Sequence, residues 1–354
     1  MKTIRNSFYK NITFNNFLNS YYKTKLGKSY TKDILSYYVN YEVNLIDLMN
    51  NIKSFNYRVG KYKSFVIYEP KKRIIRCLSF EDRIVQTWYV ECFLKPYFIP
   101  RFIYDSYACI ENKGTHKGVK RLKYFMNYMR NKYNNYYVIK FDIKHFFESI
   151  DKDILFSILN LYISDKYLLE FSKELIYSYK DKGIPIGNYT SQYFANIYLY
   201  ELDYYVKHKL KIKCYLRYMD DFIILVKDKY EAKYIYDLVE IFLNNRLKLQ
   251  LNKKSRYYKN KEGIDFLGYI IYEDYIKVRK RSIKKMNKKI KVWNKLYKEK
   301  RFNEKNFILS FNSWLGYIKH GNTYKLKNKM INKMEFLLKN LGEMKKCPYN
   351  IYRG

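Results

Sequence analysis

Proline and glycine are scarce, 5 and 12 among 354 residues, and neither gathers into a stretch that reads as a flexible linker. No internal repeat is visible either, so any domains are expected to be interleaved or closely abutted. The five cysteines (Cys77, Cys92, Cys109, Cys214, Cys347) include no C-x-x-C pair and the four histidines do not cluster. That argues against a zinc site or a disulfide framework and fits a reducing cytoplasm. No apolar run approaches the roughly 18 residues a membrane span requires. The N-terminal Met1–Lys10 stretch lacks the apolar core of a signal peptide, so neither export nor membrane insertion is expected. Acidic residues are also few: 33 Asp and Glu face 70 Lys and Arg, a formal charge of +37. Part of this excess follows from a composition dominated by Lys, Asn, Tyr and Ile. It still exceeds what solubility needs and suits a polyanionic partner, nucleic acid first.

What is present is enough apolar residue, 48% of the chain, to build two or three ordinary cores. Tyr136 to Phe141 is an aromatic and β-branched run that ends at Asp142, and it predicts a strand. Ser191 to Leu210 places Phe194, Ile197, Tyr198, Leu202, Tyr205 and Val206 on one face of a predicted helix. Tyr215 to Tyr218 and Phe222 to Val226 are apolar runs separated by Met219-Asp220-Asp221, which predicts a tight hairpin with carboxylates at its tip. A second hairpin is predicted from Ile264 to Tyr272, through Glu273-Asp274, to Tyr275–Val278. Beyond it the pattern turns helical. From Lys277 to Arg301, 13 of 25 residues are Lys or Arg, yet Ile283, Met286, Ile290, Trp293 and Tyr297 recur at spacings of three and four. This predicts a helix with one buried stripe and a basic exterior. Two more helices follow, one carrying Phe307, Phe311, Trp314 and Ile318, the other Leu326, Met330, Met334, Leu337 and Leu341.

The chemistry these elements suggest is nucleotidyl transfer, which uses two divalent ions about 3.5 to 4 Å apart held by carboxylates from separate strands. Pairing the Asp142 strand beside the Asp220-Asp221 hairpin would gather such carboxylates for Mg²⁺, a hard ion that prefers oxygen. Two aspartates in a turn are by themselves usually solvated surface, because Asp bonds its own backbone there. The neighbouring residues have to carry the reading.

Those residues run Phe141-Asp142-Ile143-Lys144-His145-Phe146-Phe147, then Gly183-Ile184-Pro185-Ile186-Gly187 leading to Ser191-Gln192, then Arg217-Tyr218-Met219-Asp220-Asp221, then Phe266-Leu267-Gly268-Tyr269. In this order and spacing they resemble the motif series of reverse transcriptases. The resemblance implies an α+β right-hand polymerase with fingers, a palm built on an antiparallel sheet and a helical thumb. The divisions expected are residues 1–135 for the N-terminal region and fingers, 136–278 for the palm with a fingers segment near 152–190, and 279–354 for the thumb. It implies RNA-directed DNA polymerase activity, with Asp142, Asp220 and Asp221 catalytic and, with the backbone of Ile143, binding two Mg²⁺ ions that Mn²⁺ can replace. Phe147 matches the bulky position that rejects a 2′-hydroxyl and selects dNTPs; the bland alternative is core packing, since only one of Phe146 and Phe147 can be buried. Gly183 to Gln192, with Ile186, Gly187 and Gln192, matches the floor under the nascent pair, and Ile186 stands where many relatives carry a polar Gln. Lys71-Lys72-Arg73 resembles the fingers segment that grips the triphosphate, Arg73 first and Lys72 beside it. The basic helix, with Lys284, Lys285, Lys288, Lys291 and Lys295, matches a thumb neutralising template and primer phosphates.

The stretch Phe102–Lys117 (with Asp105-Ser106-Tyr107-Ala108 and Gly114-Thr115-His116), the segment Ile184–Leu199 and the compact length are similar to reverse transcriptases of diversity-generating retroelements, over roughly residues 60 to 320. That family copies a template-repeat RNA into cDNA with errors at template adenines, for mutagenic retrohoming. It works with an RNA that both templates and primes, DNA or RNA as primer, and a small basic helical accessory protein. Ile110-Glu111-Asn112 departs from the basic stretch usual there. Retron, group II intron and phage-defence reverse transcriptases share the palm chemistry and stay open. An intron protein normally carries a larger region beyond the thumb than the about 75 residues after Val278. A catalytically silent RNA-binding scaffold predicts eroded acidic positions, and none of the three is eroded.

Overall fold

A computed structural model describes residues 3–28, 31–68 and 71–334 of the chain. Leu337, Leu341 and Cys347 lie outside the described residues. Two compact units are formed, one from residues 1–118 and 137–257, the other from 119–136 and 258–354. Both are mixtures of helix and antiparallel strand. Among the described residues no helix is long and apolar enough to cross a membrane, and Cys77, Cys92 and Cys109 are free thiols.

The first unit opens with helices packed around Phe8, Phe17, Trp88, Phe93 and Phe171, all but fully buried. Asp165 ties this start of the chain down: one carboxylate oxygen accepts the backbone N–H groups of Ser7 and Phe8 at 2.7 and 2.8 Å. Its other oxygen caps the helix Lys166–Tyr177. An exposed two-stranded ribbon follows, β1 (Lys63–Ile67) against β2 (Arg73–Cys77), with Ile67 opposite Arg73.

The centre of the unit is a sheet of β3 (Tyr137–Asp142), β4 (Tyr215–Tyr218) and β5 (Asp221–Val226), with β5 in the middle and antiparallel to both. Arg256 opens β6 (Arg256–Lys259) beyond β3, along which the chain leaves this unit. The strands form because Val138, Ile139, Phe141 and the run Phe222 to Val226 are nearly all buried, and β-branched and aromatic side chains suit a pleated, covered surface. Phe141 and Phe222 face one another in register and stack with centroids 4.7 Å apart, an aromatic rung worth about 0.5–1.5 kcal/mol beyond burial. It lies directly under the acidic end of the sheet.

The helix expected at Ser191–Leu210 runs Tyr189–Tyr204 and closes in a wider π-turn, Tyr205–Lys209. It is buried over most of its surface rather than along one stripe, with Gln192 and Tyr204 exposed near its ends. Asn196 and Asp203 are as inaccessible as Phe194 and Leu202, because both polar side chains are bonded to the adjoining sheet.

In the second unit the run Ile264–Tyr272 makes two strands where one was expected. Leu267 (φ +49°) and Gly268 (φ +96°) turn the chain back, giving β7 (Ile264–Phe266) and β8 (Tyr269–Ile271), and β9 (Ile276–Val278) pairs with β8. The basic helix accordingly begins at Lys280, not Lys277, and runs to Lys298. Met286 and Ile290 are buried in it, while Ile283, Trp293 and Tyr297 are half-buried. The helix Glu304–Ile318 packs Phe307 edge-on against Trp293 at 4.9 Å, and Tyr324–Asn332 follows.

Candidate active site

β3 and β5 pair so that Asp142 stands opposite Asp221, and Tyr218 pairs with Asp221 from the other side. Met219 and Asp220 are therefore the two central residues of the β4–β5 hairpin. Asp142, Asp220 and Asp221 are gathered at one end of one sheet because the buried apolar runs below them pair in register. Like charges directly opposite are destabilising, so the fold places them together at a cost.

The electrostatics agree. The Asp220 carboxyl is held above the usual carboxylate range, first by burial and further by the Asp142 charge. Its own backbone N–H, Arg73 and Lys71 act in the opposite direction. Lys140, on β3, approaches Asp221 at 3.9 Å. Among the described residues no three carboxylate, imidazole or thiol groups already stand as a closed set of metal ligands; the aspartates are neighbours through their backbones. The donor set nonetheless fits a hard divalent cation: carboxylates at neighbouring backbone positions, with the Asp142 charge pressing on Asp220, a repulsion that a cation relieves.

Asp142 is fixed from behind. Its N–H donates to Ser255 Oγ at 3.0 Å and its carbonyl accepts the N–H of Asn252 at 2.7 Å. Ile143 bridges to Leu251 and Lys144 N–H reaches the Gln250 carbonyl at 2.9 Å. His145 (φ +48°) then turns the chain into the short helix Phe146–Ser149. Phe146 goes into the core and Phe147 stays half-buried, with the two rings 5.5 Å apart.

The residues predicted to bind substrate lie in the same unit. Arg73 opens β2 and is exposed, as is Lys72 before it. Ile184 N–H donates to the Phe147 carbonyl at 2.9 Å, and Arg76 N–H to the Ile186 carbonyl at 2.8 Å. These two bonds lace the glycine-containing segment to the Phe147 turn and to β2. Gly187 (φ +122°) has the Arg76 carbonyl 2.7 Å from where a Cβ would be, so no other residue allows the ribbon so close. The Ile186 side chain is half-buried, and Gln192 is exposed in the first turn of the helix Tyr189–Tyr204. Lys284, Lys288, Lys291 and Lys295 are exposed and Lys285 partly so on the helix Lys280–Lys298 of the second unit.

Sequence reasoning assigned no role to Arg217, Asp203 and Asn196, although Arg217 stood in the quoted motif. Arg217 is fully buried and its Nε and Nη2 donate to the two carboxylate oxygens of Asp203 at 2.7 and 2.5 Å. The signal available was a cation inside an apolar strand and an anion inside an apolar helix, since buried charges come in pairs.

Residues 61–271 match the family described as "Reverse transcriptase (RNA-dependent DNA polymerase)". The chain is similar to the group II intron-encoded protein LtrA of Lactococcus lactis subsp. cremoris, 23% identical over 305 residues, covering 65% of this chain and 50% of that protein. The chain thus spans about half the length of the curated relatives it matches. Among solved structures it is similar to telomerase from Candida albicans in complex with a fragment of telomeric RNA, with a TM-score of 0.47, 12% identity and coverage of 72% of this chain and 55% of that one. Apo telomerase from Candida tropicalis is similar at a TM-score of 0.46, 14% identity and coverage of 67% and 52%.

Proposed function

Because the chain belongs to the family of reverse transcriptases, the RNA-dependent DNA polymerases, and has the mixed α+β fold of a right-hand polymerase, we propose that it copies an RNA template into DNA at the acidic end of the β3–β5 sheet. The observation that carries this is the pairing of Asp142 with Asp221, with Asp220 beside them at the turn. Asp142, Asp220, Asp221 and the Ile143 backbone would hold the divalent ions. When bound, those ions lower the pKa of a primer 3′-hydroxyl and neutralise charge on the leaving pyrophosphate.

The remaining roles belong to the chain itself. Arg73, whose charge already acts on Asp220, and Lys72 grip the triphosphate by charge-assisted bonds. Half-buried Phe147 stands against the sugar and excludes a 2′-hydroxyl. Ile186, Gly187 and Gln192 line the floor beneath the new pair. Residues up to about 135 and the 152–190 segment serve as fingers, 136–278 as palm, and the basic helical region from 279 as thumb. Lys284, Lys285, Lys288, Lys291 and Lys295 neutralise phosphates there, so that affinity falls steeply with salt. Mg²⁺, an RNA template, a DNA or RNA primer and dNTPs are the cofactor and partners this reading requires.

Within the family, the diversity-generating type is the finer reading we favour, with adenine-directed errors, retrohoming and a small basic helical accessory protein. It is supported by the Phe102–Lys117 and Ile184–Leu199 segments and by apolar Ile186 in place of a polar side chain. A group II intron type is the second reading, favoured by the likeness to LtrA.

Primer extension on an RNA template, with Asp220→Asn alongside, tests the polymerase: product that survives this substitution, or none from the parent protein with Mg²⁺ or Mn²⁺, refutes it. Sequencing the cDNA separates the types. Errors heaped on template adenines support the diversity-generating reading, and sparse, uniform errors support the intron type.

A further inference from the structure

We infer that Arg217 is the positioning residue of the catalytic turn: it holds the Met219 peptide in place and thereby sets where Asp220 stands. The inference rests on the polymerase reading above. Met219 has φ +57°, a left-handed conformation that costs a non-glycine residue energy and persists only when its surroundings impose it. The group that reaches it is Arg217 Nη1, which donates to the Met219 carbonyl at 3.2 Å and to Asn196 Oδ1 at 3.0 Å. With the two bonds to Asp203, four of the five guanidinium N–H groups are engaged.

The peptide that joins Met219 to Asp220 is planar, so fixing its carbonyl fixes the direction of the Asp220 N–H. Arg217 therefore holds the peptide from which Asp220 and its side chain continue. The arginine is itself anchored on every side. Its N–H donates to the Asp105 carbonyl at 2.9 Å and its carbonyl accepts from Tyr107 N–H at 3.0 Å. Tyr215 Oη donates to Asp203 at 2.6 Å, Asn196 Nδ2 to the Ala108 carbonyl at 3.0 Å, and Lys207 to Asp105 at 2.9 Å. This gives the Asp105–Ala108 stretch, left without a task by the reaction, a physical one.

Core stability alone does not account for the arrangement, since a buried ion pair commonly contributes no more than an apolar pair of the same volume. Direction does account for it. A planar guanidinium pairs with a carboxylate through two bonds and still has N–H groups aimed elsewhere, which an ammonium does not.

Terbium luminescence reads cation affinity at the aspartates without requiring synthesis, and Asp220→Asn subtracts binding elsewhere. Arg217→Lys is expected to weaken terbium binding about tenfold and to lower kcat about tenfold or more, with primer–template Kd within about twofold of the parent. Adding Met219→Gly to Arg217→Lys is expected to recover most of the terbium affinity, because glycine holds a positive φ unaided. Unchanged terbium affinity in folded Arg217→Lys, or no recovery with Met219→Gly, overturns the inference. Should Arg217→Lys fail to fold, Arg217→Lys with Asp203→Glu keeps opposite charges buried together and carries the same expectations and the same refuting results. A parent protein that makes no DNA refutes the polymerase reading instead, and the terbium measurements still decide the role of Arg217.

Discussion

Two hairpins of this chain turn on two residues each, and they are held by different means. Between Phe266 and Tyr269 the turn is Leu267-Gly268, both left-handed, with glycine at the second position, where the backbone itself favours the shape. Between Tyr218 and Asp221 it is Met219-Asp220, with a methionine at positive φ where glycine is usual. The first turn carries no ionisable side chain, and its Gly268 carbonyl is bonded by Tyr317 Oη at 2.5 Å and Arg279 N–H at 3.1 Å. The second carries an acidic side chain and is braced from below by a fully buried arginine. A turn that only reverses the chain can rely on local preference. One that must aim a carboxylate at its neighbours is locally unfavourable and depends on the rest of the fold.

The largest effect should come from removing that unfavourable charge. Asp220→Asn is expected to lower synthesis by at least about a thousandfold, roughly 4 kcal/mol of transition-state stabilisation. It is also expected to raise the melting temperature. The sign follows from the direction of the shift: the folded-state pKa of Asp220 lies above its ordinary value, through burial and then Asp142. Its favourable contribution to stability is therefore complete below the ordinary carboxylate range and is lost as pH rises through the raised value. At neutral pH the charged group destabilises the metal-free fold, so calorimetry without divalent ions should find Asp220→Asn the more stable protein, with the gap closing on acidification. A lower melting temperature for the variant would show that the turn is not under electrostatic load and would erase the contrast between the two hairpins.

How much of this contrast is legible in the sequence depends on the range of the interaction. The convergence of Asp142 with Asp220 and Asp221 is legible because each follows or precedes an apolar run, and burying those runs forces the register. The Phe146 and Phe147 split is legible for a similar reason, since neighbours in a short helix cannot both be fully buried, and Phe147 packs against the core that Phe146 enters. The break at Leu267-Gly268 is less so, because Ile264 to Tyr272 reads as one continuous apolar strand until the glycine is given its turn. Arg217 reads as an ordinary member of a motif. Its partners Asp203, Asn196 and Asp105 are 14, 21 and 112 residues away, and nothing local to Tyr215–Tyr218 announces them. Ser255 and Asn252, which hold the backbone of Asp142 from across the sheet, are hidden in the same way.

Gly268→Ala tests the self-supporting turn. A Cβ there would sit 2.9 Å from Tyr317 Oη on a backbone at φ +96°, so about 1–2 kcal/mol of destabilisation is expected. Urea denaturation of the parent and variant measures it. A neutral result would mean that the tyrosine and backbone bonds to the carbonyl, rather than glycine's freedom, hold this turn as well.

The mirror experiment, Met219→Gly in the otherwise unaltered chain, should have the smallest effect, within about 0.5 kcal/mol of the parent. Relief of a left-handed non-glycine residue gains about 1–2 kcal/mol. Against it stand the extra backbone entropy of glycine, roughly 0.5–1 kcal/mol, and the lost packing of a half-buried methionine that touches the core, roughly 1 kcal/mol. The terms nearly cancel, and the same urea titration reads the remainder. The comparison then takes its sharpest form: glycine is indispensable where the turn supports itself and nearly indifferent where Arg217 already supplies the hold. A loss well beyond 1 kcal/mol would instead assign the catalytic turn's stability to the Met219 side chain and leave the arginine only its ion pair.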